Sequence, residues 1–184
     1  MLDEASRKVL LSAAREAVRA AAGGSRPPAP PGLPGCSGYA DSGAFVTLTA
    51  NGELRGCIGL FRGTGDLGRT VVGMAAAAAV DDPRFPPVRP SEVDGLDIDI
   101  SVLGPILKSS PDLVVPGVHG ILVQGGGRSG TLLPQVAVEQ GWSREELLTH
   151  ACLKVGLPPD AWRHGSVVVS TYTAEVFGDS GRKG

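Results

Sequence analysis

The stretch Glu53–Leu60, ELRGCIGL, sets a thiol two residues from a guanidinium. At the two-residue period of a strand, Leu54, Gly56, Ile58 and Leu60 share one face, and Glu53, Arg55, Cys57 and Gly59 share the other. The three aliphatic residues mark the first as the core face. Arg55 and Cys57 are then expected to point away from it, side by side. A neighbouring guanidinium favours thiolate over thiol, which suits a nucleophile or an anion site. Gly56 and Gly59 carry no side chain, so a ligand or another backbone can approach there. The structural alternative makes Cys57 a small packing residue and Arg55 an ion-pair partner, since free cysteine is among the most buried residue types.

Other stretches carry weaker chemistry. In AAAAAVDDPRFPPV (75–88) the alanines suit close packing of a helix on a sheet. Asp81 and Asp82 stand at its C-terminal end, where the helix dipole disfavours negative charge. Something must hold them, and Arg84 or Arg55 is the obvious candidate; the structural alternative is a salt bridge that fixes the turn. His119 stands before a glycine at a strand entry, either as a base or as a hydrogen-bonded structural residue. Gln135 follows a proline, where its amide suits backbone or ligand. GGGRSG (125–130) lacks the GK[ST] of a phosphate loop and reads as a hairpin turn.

These residues need elements to hold them. Apolar spacing over 3–21 predicts an amphipathic helix. The Pro- and Gly-rich 23–35 predicts an extended surface connector. Residues 44–50 read as a strand, Asn51-Gly52 as a type I′ turn, and 53–60 as the return strand. Asp66 is placed to cap a helix running to Val80. GLDIDISVLGP (95–105) alternates strictly, which predicts a strand solvated on its Asp97, Asp99 and Ser101 face. A strand over 119–124 follows, and Pro134 marks a sheet edge or the point of leaving a sheet. Ser143 with Glu146 forms a capping box for a helix to Val155. A last strand spans 166–177, and 179–184 is expected to be a flexible tail. Helices and strands do not alternate regularly, so the expected class is α+β, a mostly antiparallel sheet flanked by helices.

Composition narrows the function. The 184 residues suit one domain, or one domain with two lobes. The formal net charge of −2 argues against nucleic acid or an anionic membrane as the main partner. The N-terminal stretch mixes charges and is no signal peptide, and VVGMAAAAAV is too short to span a bilayer. Three widely spaced cysteines, Cys36, Cys57 and Cys152, make no disulfide framework. A cytoplasmic protein is expected, with no self-contained metal site.

In chain order, GAFVTLTANGELRGCIG, AAAAAVDDPRFPPV, DIDISVLGP, PGVHGILVQ, GTLLPQVAVEQGW, CLKVGLPPDAW and YTAEVF closely resemble the AMMECR domain family. Its bacterial members are called AmmeMemoRadiSam system protein A. The resemblance runs from about Leu10 to Phe177, and LRGCIG is its hallmark. It implies a single α+β domain over 1–184, with a larger and a smaller lobe and a cleft between them. It also implies genomic company with a Memo-like protein and a radical SAM protein. It supplies no reaction and leaves any cofactor unknown.

The family motif positions are occupied by Arg55, Gly56, Cys57, Gly59, Asp82, Arg84, Phe85, His119, Gly120, Pro134 and Gln135. One reading is an enzyme or enzyme subunit acting on a small molecule or protein. Cys57 is then the nucleophile, His119 the base and Asp82 an orienting group, while Arg55, Gly56, Gly59, Arg84 and Gln135 hold substrate. The other is a non-catalytic adaptor that binds a partner protein through the cleft. Val118 stands where the family pattern has a basic residue, which weakens an anion role at His119. The Pro-rich 23–35 is unusual for the family and reads as a lineage-specific wrap.

Overall fold

A computed structural model describes residues 1–33 and 38–179. Cys36, the end of the 23–35 connector and all but the first residue of the expected 179–184 tail lie outside the described residues. The fold is α+β. Among the described residues its strands form two four-stranded sheets. The chain divides into two compact units, Met1–Leu103 with the chain from Glu175 onward, and Gly104–Ala174.

The first unit opens with helix α1 (Glu4–Ala22), whose N-cap Asp3 accepts from the Ser6 amide. Strands β1 (Ser42–Ala50) and β2 (Glu53–Arg62) form the hairpin. Asn51 and Gly52 turn it with φ of 53° and 82°, the left-handed pair that a type I′ turn requires. Helix α2 (Leu67–Val80) starts at Asp66, whose carboxylate accepts from the Arg69 amide. Strand β3 (Leu96–Leu103) follows a short 3₁₀ turn. The last strand of the chain, β8 (Ala174–Gly178), completes the sheet in the order β2-β1-β3-β8. Val46 and Leu48 of β1 with Ile98 and Ile100 of β3 bury one sheet face together with Leu10, Ala14 and Val18 of α1 and Val71, Ala75 and Ala78 of α2.

The second unit holds β4 (Leu107–Lys108), β5 (Gly120–Gly125), β6 (Arg128–Leu132) and β7 (Val168–Tyr172), in the order β4-β7-β5-β6. Helices α3 (Pro134–Gln140) and α4 (Arg144–Lys154) complete it. Pro134 opens α3, where its missing N–H costs nothing. The capping box of Ser143 and Glu146 starts α4. Its core joins Ile121, Val123 and Val169 to Leu147, Leu148, Ala151 and Cys152. Burial pushes the Cys152 thiol pKa up, so this cysteine is inert packing.

Three expectations are corrected. The strand over 166–177 is two strands that break at Thr173 and serve different sheets. The polar face of β3 is not solvated throughout: Asp97 is exposed, but Asp99 and Ser101 are buried. The alternation through 53–60 breaks at Arg55. Leu48 pairs with Gly56 but Thr49 pairs with Leu54, which leaves Arg55 unopposed as a β-bulge. The bulge moves Leu54 off the core face, and it is exposed.

Candidate functional site

Across β2, β1 and β3, the register sets Cys57 opposite Thr47, and Thr47 opposite Asp99. Directly opposed residues share a face, so the three form a row on the sheet face away from the helices. The Cys57 thiol lies 3.3 Å from the Thr47 hydroxyl and is half-buried.

The Cys57 backbone is held from its other side. Strand β2 is an edge strand, and the amide of Cys57 points out of the sheet. Asp82 Oδ2 accepts from that amide at 2.8 Å, and Arg84 Nη2 donates to the Cys57 carbonyl at 3.3 Å. Arg84 also grips Asp82 through Nε at 2.9 Å and Nη2 at 2.6 Å, and its own amide donates to Oδ1 at 3.1 Å. Four donor contacts therefore converge on one buried carboxylate. The guanidinium of Arg84, opposed by burial but helped by the two amides, holds the Asp82 pKa well below the usual carboxylate range. The D-x-R turn thus performs, with side chains, the two bonds that a neighbouring strand would make at Cys57. It blunts an exposed sheet edge.

Arg55 does not stand guard over the thiol. Its guanidinium reaches Glu92 at 3.1 Å through Nε and the carbonyls of Pro86 and Pro87 at 2.9 and 3.3 Å. The bulge explains this, for it turns the side chain toward 86–92. Glu92 takes further bonds from the Arg89 amide and side chain. Its pKa falls to about 2, chiefly through the bond from Arg55.

On their side-chain faces the two glycines are packing positions. A Cβ at Gly56 would overlap the Ala78 carbonyl of α2, and one at Gly59 would overlap the Phe45 ring. The close approach expected at both is made by the protein itself.

The structure therefore brings Arg55, Gly56, Cys57, Gly59, Asp82 and Arg84 together in the first unit, while His119 and Gln135 belong to the second. His119 Nδ1 accepts from the Val115 amide at 3.2 Å, and its own amide donates to the Val115 carbonyl at 2.9 Å. That arrangement closes a turn before β5. Gln135 sits in the first turn of α3, its Oε1 buried without a hydrogen-bond partner among the described residues. Among those residues, no group of three or more His, Cys, Asp or Glu is poised to hold a metal, and no helix is long and apolar enough to cross a membrane.

Thr47 and Glu92 were missed from the sequence. Thr47 was within reach. An unbroken two-residue hairpin sets Cys57 against Val46, yet Val46 belongs to the core and the alternation of 53–60 points Cys57 away from it. That conflict is the signature of a bulge, and the corrected register delivers Thr47.

A family model described as AMMECR1 matches residues 11–177. The chain belongs to the AMMECR1 family. A protein of Methanopyrus kandleri is 47% identical over 145 residues, covering 73% of this chain and 70% of the relative. One from Methanothermobacter thermautotrophicus is 42% identical over 146 residues, with 76% of each chain covered. The crystal structure of the uncharacterized protein PH0010 from Pyrococcus horikoshii superposes with a TM-score of 0.88 at 36% identity, covering 97% of this chain and 93% of that one. These AMMECR1 relatives are archaeal, whereas the motif resemblance pointed to bacterial members.

Proposed function

We propose that this AMMECR1-family chain is a partner-binding component of a cytoplasmic system whose other members are a Memo-like protein and a radical SAM protein. The observation that carries this reading is the state of Asp82. An acid–base residue needs a free lone pair or a titrating proton near the operating pH. Asp82 has neither, because its oxygens are engaged by Arg84 and the Cys57 amide. Arg55 is likewise engaged by Glu92. The motif thus builds a rigid, capped strand edge, which is what a recognition surface needs.

One observation favours a second reading, a cysteine-dependent enzyme subunit. The main chain of Cys57 is clamped at both its amide and its carbonyl while its thiol stays half-exposed beside Thr47. A positioned nucleophile is held in this way.

Sedimentation of the purified chain with each of the two other proteins tests both. The partner reading expects a complex that survives Cys57→Ala, with turnover of a metabolite extract by the three proteins unchanged. A complex that survives while turnover is lost makes the thiol catalytic. No complex with either protein overturns the partner reading.

A further inference from the structure

The β2 edge is capped at one residue and open at the next. In an antiparallel ladder, outward and inward backbone groups alternate along an edge strand. The Cys57 amide is bonded to Asp82, not to β1, so Thr47–Cys57 is a pair without ladder bonds. Ile58 opposite Val46 is then a bonded pair, and Gly59 opposite Phe45 again is not. The amide and carbonyl of Gly59 therefore point out of the sheet, as those of Cys57 do, but among the described residues no side chain takes the part of Asp82 and Arg84 there.

The surroundings of Gly59 specify an occupant. On one face the Phe45 ring covers the glycine and packs edge to face on Phe61 at 5.6 Å. On the other, Leu60 is 37% exposed. An added strand would find an apolar floor on both faces. At the end of the strand stands exposed Arg62, with no carboxylate partner among the described residues, and exposed Arg69 lies just past the turn into α2.

We propose that the Gly59 edge of β2 takes an extended segment of a partner protein by strand addition, with carboxylates on that segment facing Arg62. This rests on the partner-binding reading and names the chemistry of the contact. The partner residue facing Gly59 accepts from its amide and donates to its carbonyl, the exchange that Asp82 and Arg84 already perform at Cys57. Antiparallel pairing places the carboxylates at the N-terminal end of the segment.

The probe is a synthetic pentapeptide, acetyl-Asp-Asp-Val-Thr-Val-amide, which spans Arg62 to Ile58 and stops short of the capped Cys57, titrated into the full chain and followed by amide NMR. Saturation is expected to shift the Gly59 amide and slow its exchange with solvent at least tenfold. Methylating one alternate set of peptide amides should abolish binding, and methylating the other set should not. Arg62→Glu, an exposed change that leaves the fold intact, should weaken the acidic peptide about fivefold and favour a version with lysines in place of the aspartates. An unmoved Gly59 amide, equal binding by both methylated sets, or pairing of β2 with a second copy of the chain would overturn the proposal. If the peptide fails while the chain still forms a complex with the Memo-like or radical SAM protein, the edge is not the docking surface and the partner reading stands.

Discussion

Asp82 shows how a single residue type can look catalytic in a sequence and act structurally in the fold. A carboxylate beside a cysteine invites an acid–base role, but four donor contacts hold it in the ionised form. Its loss should be felt in stability. Asp82→Asn keeps an acceptor for the Cys57 amide but breaks the pair with Arg84, and is expected to cost about 1–3 kcal/mol in urea unfolding. Arg84→Gln strips the counter-charge from a buried carboxylate and should cost at least as much, although Arg84 itself is 54% exposed. The sign of the pH dependence follows from the depressed folded-state pKa values of Asp82 and Glu92. Their contribution is complete above the unfolded carboxylate values near 4. It is lost as pH falls through the folded values, so stability should be level at neutral pH and decline from about pH 4 toward 2. Asp82→Asn should flatten that decline. At Cys57 itself, serine replaces a half-exposed thiol beside a hydroxyl, and a melt within about 1 kcal/mol of wild type is expected. A much larger loss would make the thiol a packing group.

At the scale of elements, the hairpin and α2 depend on one another. The α2 backbone comes so close to β2 that only hydrogen fits at Gly56. Gly56→Ala should cost about 1–3 kcal/mol by overpacking against the Ala78 carbonyl, a main-chain atom that cannot swing aside. Arg55→Gln should loosen 83–92, visible as faster amide exchange there, while the rate of Cys57 alkylation stays within twofold of wild type. A large change in that rate would restore Arg55 to the thiol. Much of this level was legible in the residues. Asp66, Ser143 with Glu146, and Asn51-Gly52 mark their caps and turn because each side chain or φ preference acts within a few residues. The bulge at Arg55 is silent in LRGCIGL itself, whose apolar alternation runs on either side, and shows only when the hairpin register is set against that alternation. The break at Thr173 was also hidden, since neither glycine nor proline marks it and the β-branched run continues across it. The burial of Asp99 and the donors on Asp82 depend on residues far away in the chain, which local pattern does not encode.

Across the whole molecule, the last strand ties the chain to its beginning. Glu175 on β8 accepts from the Leu2 amide at 2.9 Å, Arg7 at 3.1 Å and the Tyr39 hydroxyl at 2.8 Å. Despite opposing burial, these donors hold its carboxyl below the usual value. Glu175→Ala removes an acceptor shared by three partly buried groups, and a loss of about 1–3 kcal/mol is expected by thermal or urea unfolding. The place of β8 also sets a timetable for synthesis. Residues 104–174 form a continuous unit and have all their strands as soon as they leave the ribosome. The first 103 residues emerge earlier yet must wait, because β3, paired with β1 on one side, lacks its second neighbour until β8 is translated. During that wait the β3 edge, with Ile98 and Ile100 beside it, is an open template for pairing with other nascent chains. Chains stopped before Ala174 should therefore aggregate and engage chaperones. In a force-sensing arrest assay, the pull from the first unit should appear only once Gly178 has cleared the exit tunnel.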